Sequence, residues 1–345
     1  MSTQLGQIAK KAKLDRTVRF TSLAHLLTPS FLKETWRMMN RHAASGIDGQ
    51  TTGQFASEIE QRVEEICQQL KAGAYRAPPV RRVEIPKGPG KSGTRPLGIP
   101  TVADRLLQRA VARILEAVFE ADFLDCSFGF RPGRNPHHAL RALRLHIVTG
   151  KVSHVFEADI RSYFTRIDHQ WLRRMVAHRI ADPVILQLIA KWLKAGAMQD
   201  GVYIPAGEGT PQGGPISPVL SNLYLHFTLD LWFEKKFKPQ CRGEAYLVRF
   251  ADDFVGCFQF QGCAAIPASV TGALCAVQAG DGRGENPDVA LWALCRRHAG
   301  QARTEAGDVR VPWLQACLWG RPERALCPDP HSLHQELQEV SCAHT

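Results

Sequence analysis

The chain has no run of about 18 uncharged apolar residues, so none of its 345 residues is expected to cross a membrane as a helix. Its opening, MSTQLGQIAKKAKLDRTVRF, carries lysines but lacks the apolar core of a secretory signal. The ten cysteines contain no Cys-x-x-Cys pair, which excludes the common zinc spacings and leaves no disulfide framework. With no export signal they read as reduced thiols of a cytoplasmic protein. No internal repeat is present.

A second set of absences divides the chain. Residues 261–345 contain no Lys, Phe or Tyr, yet hold six of the ten cysteines and three tryptophans. Seven Arg against nine Asp plus Glu give this stretch a net charge of −2, so the +10 of the whole chain leaves +12 for residues 1–260. The tail is rich in Ala and Gly without an amphipathic period, and is expected to be a foreign reading frame or an unrelated extension; a small independent module is the alternative. The basic excess of residues 1–260 suits a polyanionic partner, nucleic acid first among them.

Within residues 1–260 the elements can be placed in order. Residues 53–72 bring Phe55, Ile59, Val63, Ile66 and Leu70 to one helical face. VRRVEI at 80–85 alternates as a strand and runs into the loop PKGPGKSGTRP. That loop is not a nucleotide-binding P-loop, because the first glycine of the pattern is Ile85 and Gly93 and Pro96 oppose an immediate helix. Thr101 is expected to cap a helix, with Asp104 turned back to its free amides. Asn135 and Pro136 open another. VFEADI at 155–160 reads as a short buried strand, and Ser217 as the cap of a long helix. AYLVRF and FVGCFQF form the arms of a hairpin around Ala251, Asp252 and Asp253. Strands and helices mix without a regular βαβ series, which favours an α+β fold over a doubly wound sheet.

The pair Asp252–Asp253 raises the chemical question. Asp is a common turn former, so solvation alone could account for it. A third acid, Asp159, closes the VFEAD strand in the same manner. Strand ends carrying carboxylates can converge at one sheet edge, where they repel unless a dication lies between them. Hard oxygen donors favour Mg²⁺.

Here the sequence resembles the group II intron-encoded reverse transcriptase/maturases of bacteria. FADD at 250–253 resembles that family's YADD box, with Phe250 in place of Tyr. FEADIRSYFTRIDH at 156–169, GTPQGGPISPVLSNLYLHFTLD at 209–230, RRVEIPKGPGKSGTRPLGIPTVADRLLQRAV at 81–111, GFRPGRNPHHAL at 129–140 and SGIDG at 45–49 match further motifs in order. The resemblance implies a right-hand polymerase. Residues 1–75 would form an N-terminal helical extension of the fingers, 76–152 the fingers, and 153–260 an incomplete palm. Residues 261–345 would be an atypical tail in which neither thumb nor X domain is evident, as after a truncation or frameshift, and the open hairpin would leave an unpaired sheet edge.

By the same resemblance Asp159, Asp252 and Asp253 are the catalytic, metal-binding triad, and Ile160 lends a backbone carbonyl. The cofactor is a pair of Mg²⁺ ions, with Mn²⁺ as a substitute. Lys87 and Arg95 grip the triphosphate, Phe164 excludes a 2′-hydroxyl, and Gln212 and Gly213 lie against the nascent base pair. Arg131 and Arg134 contact backbone phosphates. The implied partners are an RNA template, the intron RNA, a DNA primer and dNTPs. A non-catalytic intron-RNA-binding remnant remains open, as does a retron, diversity-generating or defence-associated reverse transcriptase.

Overall fold

The computed structural model describes residues 3–86, 93–160, 163–207, 209 and 213–260. At positions 3, 158, 159 and 165 it describes the backbone only. The atypical tail therefore lies outside the described residues.

Nine α-helices and seven strands are distinguished among the described residues. Helices α1 (Thr3–Leu14), α2 (Pro29–Arg37), α3 (Thr52–Ser57) and α4 (Ile59–Lys71) surround α5 (Val102–Phe119), which is buried on nearly every side. Its Leu106, Leu107, Val111, Ile114, Leu115 and Val118 have no exposed surface, and its buried Asp104, Gln108 and Arg113 find internal hydrogen-bond partners. The single helix expected over 53–72 is two, broken at Glu58, because Thr51 and Gln54 form a reciprocal capping box that starts a separate short turn.

Thr101 caps α5 as expected, accepting from the Asp104 amide. The Asp104 carboxylate, however, does not turn back to the helix amides. It faces inward, where the Tyr75 hydroxyl, Trp192 Nε1–H at 3.0 Å and Gln108 Nε2–H at 2.9 Å donate to it. With no cation in this set, burial raises the Asp104 pKa.

Strands β1 (Val80–Pro86) and β2 (Thr94–Ile99) form a hairpin. After α6 (Pro136–Thr149), β3 (His154–Asp159), α7 (His169–Arg179) and α8 (Pro183–Lys194) come two short strands, β4 (Ala197–Gln199) and β5 (Val202–Ile204). These extend the first hairpin into a four-stranded sheet, β2-β1-β4-β5.

Helix α9 (Ser217–Leu225) leads on to a second sheet, β3-β7-β6, built from β6 (Ala245–Phe250) and β7 (Asp253–Phe258). Ser217 does not cap α9 with its side chain; its amide donates to the Gly214 carbonyl and it already lies in the first turn. The helix continues past Leu225 in two wider π-type turns, His226–Asp230 and Phe233–Phe237, each closed by an i→i+5 hydrogen bond.

Two expectations for the second sheet need correction. The β7 arm is central rather than open, because β3 pairs along its whole length. Among the described residues β3 is the outer strand instead, which leaves Val155 44% exposed rather than buried.

Candidate active site at the carboxyl end of β3

Sheet register determines where the acidic positions meet. Asp159, the last residue of β3, is the register partner of Asp253, the first residue of β7; on the other side Asp253 pairs with Phe250, the last residue of β6. Opposed residues in antiparallel strands lie about 4.5–5.5 Å apart between Cα atoms. Asp252 completes the group as the second residue of the two-residue turn joining β6 to β7. Three acidic positions thus share one end of a three-stranded sheet.

The turn is held in an unusual conformation. Ala251 has φ +59° and Asp252 does not share the left-handed region, the pattern of a type II′ hairpin turn. A residue with a Cβ in that region costs about 1–2 kcal/mol, so the surroundings must impose it. They do so from two sides. Residues 126–129 run along the outer edge of β6: the Arg249 amide donates to the Cys126 carbonyl at 2.7 Å, and the Phe128 amide to the Arg249 carbonyl at 2.8 Å. Gly129 then lies against the turn so closely that a Cβ there would sit 2.3 Å from the Ala251 nitrogen.

The second support is Arg249, whose side chain has no exposed surface. Its guanidinium forms a two-pronged ion pair with Asp230, Nε to Oδ1 and Nη2 to Oδ2, both at 2.7 Å. It also donates to Asn222 Oδ1 at 3.1 Å, Ser127 Oγ at 2.7 Å and the Ala251 carbonyl at 2.8 Å. Asn222 Nδ2 in turn donates to the Gly129 carbonyl at 2.6 Å. Burial by itself would lower the Arg249 pKa, but the Asp230 charge and its hydrogen bonds outweigh that and raise it. The adjacent His226, buried among rings with Nδ1 unpartnered, is driven the other way by burial, to about 4.

Arg249 is therefore not the counter-charge of Asp253. Side chains alternate along a strand, and Arg249 pairs with Phe254, one step from the Phe250–Asp253 pair, so the two groups lie on opposite faces. Among the described residues no set of three His, Cys, Asp or Glu side chains is gathered as a metal site; Asp159 is described by its backbone alone.

The other expected site residues fall in several places. Ile160 follows β3, and its carbonyl accepts from the Tyr163 amide at 3.2 Å, which uses one of its two lone pairs. Phe164 is half-buried against the core, edge-on to Tyr163 with ring centroids 5.3 Å apart. Arg95 is exposed on β2. Gly213 has φ +115°, and a Cβ there would meet the Gly98 carbonyl at 2.5 Å, so this loop lies directly on β2, the strand of Arg95. Lys87 and Gln212 lie outside the described residues.

Arg131 and Arg134 are placed differently from a phosphate contact. The Arg131 side chain is 3% exposed; it pairs with Glu120 at 2.8 Å and donates to the Leu124 and Ser127 carbonyls. Arg134 pairs with Asp125 at 2.5 Å and donates to the Asp125 carbonyl at 2.9 Å. Both tie down the loop that leads to Gly129.

Sequence reasoning overlooked Arg249, Asp230 and Asn222. The signal was present: in AYLVRF, Leu247 and Arg249 share one strand face, and a cation at a core position requires an internal partner.

The described residues thus form a mixed α and β architecture with three acidic positions at one sheet end. Sequence comparison gives the family. The chain belongs to the reverse transcriptase (RNA-dependent DNA polymerase) family, which matches residues 85–261, just over half of the 345. Its relatives include proteins named as encoded by group II introns. It is 37% identical over 233 residues to protein YkfC of Escherichia coli, covering 66% of this chain and 61% of that protein. It is 39% identical over 226 residues to the group II intron-encoded protein LtrA of Lactococcus lactis, covering 64% and 37%. It is 38% identical over 172 residues to an uncharacterized 91 kDa protein in the cob intron of Schizosaccharomyces pombe, covering 50% and 21%. The chain thus spans from about a fifth to about three fifths of the length of these relatives. No described helix is long and apolar enough to cross a membrane.

Proposed function

We propose that the chain carries the fingers and most of the palm of a right-hand polymerase that copies RNA into DNA for a group II intron. In this reading residues 1–75 and 76–152 belong to the fingers and 153–260 to the palm. The observation that carries it is the register of Asp159 against Asp253, with Asp252 in the adjoining turn.

The donor set fits a hard dication. Carboxylates at adjacent register positions repel one another unless a cation compensates them, and oxygen donors of this kind suit Mg²⁺, with Mn²⁺ as a substitute. Asp159, Asp252 and Asp253 would hold it, with the Ile160 carbonyl contributing its remaining lone pair. When bound, the metal pair lowers the pKa of a primer 3′-hydroxyl and stabilises the departing pyrophosphate.

The chain's own groups supply the rest. Arg95 and Lys87 offset the charge of an incoming dNTP. Gly213, lacking a Cβ, lets backbone approach the nascent pair, and Gln212 offers an amide to its edge. Phe164 blocks a 2′-hydroxyl by volume. RNA template, intron RNA and DNA primer are the macromolecular partners, consistent with the +12 of residues 1–260.

The test is extension of a DNA primer on an RNA template with Mg²⁺, beside an Asp252→Ala/Asp253→Ala variant. Extension by the parent and none by the variant is expected. Equal incorporation by both removes the catalytic assignment. Retained RNA binding with no extension by either supports a non-catalytic, RNA-binding chain instead.

A further inference from the structure

Phe130 is one of the few large apolar side chains left open to solvent, with half of its surface exposed. Among the described residues it is not packed against the hydrophobic core, and no ring or cation contact is recorded for it. Its backbone is left-handed, φ +55°, which a bulky residue adopts only under constraint. Its neighbours supply that constraint. Gly129 abuts the Ala251 nitrogen, its carbonyl is held by Asn222, and residues 126–128 are laddered to β6. Phe130 is the next residue along this edge, beside the turn that carries Asp252.

An exposed aromatic ring on a strained backbone is an unfavourable arrangement for stability alone. Water gains nothing from it, and the left-handed conformation would suit glycine better. Position resolves the cost. Phe130 directly follows Gly129, which abuts the turn at the sheet end shared by the Asp159, Asp252 and Asp253 positions, in a chain with a strong basic excess. Exposed aromatic faces are a means by which basic proteins stack unpaired or terminal bases.

We propose that Phe130 is a stacking platform for a nucleic-acid base at the end of the duplex presented to the acidic cluster. The proposal rests on the polymerase reading of this site, but it concerns binding and needs no turnover. The Arg249–Asn222–Gly129 chain of contacts ties the backbone that leads into Phe130 to the turn that carries Asp252.

The probe is a DNA primer annealed to an RNA template, with the fluorescent base 2-aminopurine at the primer 3′ end. It is titrated with the full chain without dNTPs. Stacking of one base on one ring is worth about 1–3 kcal/mol, so Phe130→Ala should weaken binding roughly 5- to 150-fold and restore 2-aminopurine fluorescence. Phe130→Trp and Phe130→Tyr should keep both affinity and quenching, whereas Phe130→Leu, apolar but without a π face, should lose the quenching. Phe130→Gly separates recognition from folding: it relieves the left-handed backbone, so its melting temperature should equal or exceed the parent's while its affinity falls. Unchanged affinity and quenching in Phe130→Ala overturn the proposal and leave the polymerase reading standing. Failure of the parent chain to bind this duplex overturns both.

Discussion

Replacing Arg249 by Met tests whether the buried ion pair is a true two-body interaction. Both side chains have no exposed surface and two contacts of 2.7 Å join them. Arg249→Met leaves the Asp230 carboxylate buried without its cation, and Asp230→Leu does the same to the guanidinium. Breaking one side of such a pair costs about 3–5 kcal/mol, a large part of the roughly 5–15 kcal/mol that holds a domain folded. Removing both charges together avoids the stranded ion. What remains in the double variant is the loss of the guanidinium's hydrogen bonds to Asn222, Ser127 and the Ala251 carbonyl, each about 1–3 kcal/mol. The double variant should therefore be less destabilised than Arg249→Met alone, and by well under the sum of the two singles. Urea unfolding at pH 7, followed by circular dichroism, measures all three. A double variant as unstable as the sum of the singles would refute the pairwise account. The double variant should also extend primers poorly despite its recovered stability, because nothing then holds the Ala251 carbonyl and the left-handed turn beside Asp252.

Three further outcomes are expected. His226 has a pKa of about 4 in the folded chain against 6.5 for the free group, so the unfolded chain binds more protons between those values; stability should be full above about pH 6.5 and fall by about 3 kcal/mol as pH drops to 4. Urea midpoints across that range should show a shallower acid slope in His226→Leu, while Asp104, raised by burial, acts in the opposite direction and remains in both proteins. Gly129→Ala forces a Cβ to within 2.3 Å of the Ala251 nitrogen and should cost about 1–3 kcal/mol with loss of extension, read by thermal melting and primer extension together. Gly213→Ala adds a clash with the Gly98 carbonyl at a left-handed position; it should raise the KM for dNTP more than it changes duplex affinity, and equal effects on both would contradict the placement of that loop.

The parts of this molecule that could be read from sequence are those that short-range chemistry specifies. Thr101 and Asn135 announced their helices because an oxygen at the N-cap has one geometric use, and both accept the expected amide. The β6–β7 hairpin was legible because two apolar runs flank a two-residue turn. The acids could be listed, and their common sheet edge surmised, but their pairing could not: it needs β3, some ninety residues earlier, to lie beside β7. Asp104 was misread for a related reason. Local rules give it the helix amides, while tertiary packing brings Tyr75 and Trp192 to it from distant segments. The short strands β4 and β5 carry only three residues each, too few for an alternating pattern to register. Nor could sequence show the partners of Arg131 and Arg134, since Glu120 and Asp125 lie nine or more residues away along the chain.

The ladder between β3 and β7 has one further implication. Six successive partners tie His154 to Phe258 at one end and Asp159 to Asp253 at the other. Along such a zipper the side chains can be exchanged, but their count cannot. Deleting one codon between positions 155 and 158 would draw Ile160 into the place of Asp159 and invert the strand's outward and inward residues. This lesion differs in kind from any substitution, because it would leave Asp159, Asp252 and Asp253 all present but Asp159 out of step with the other two.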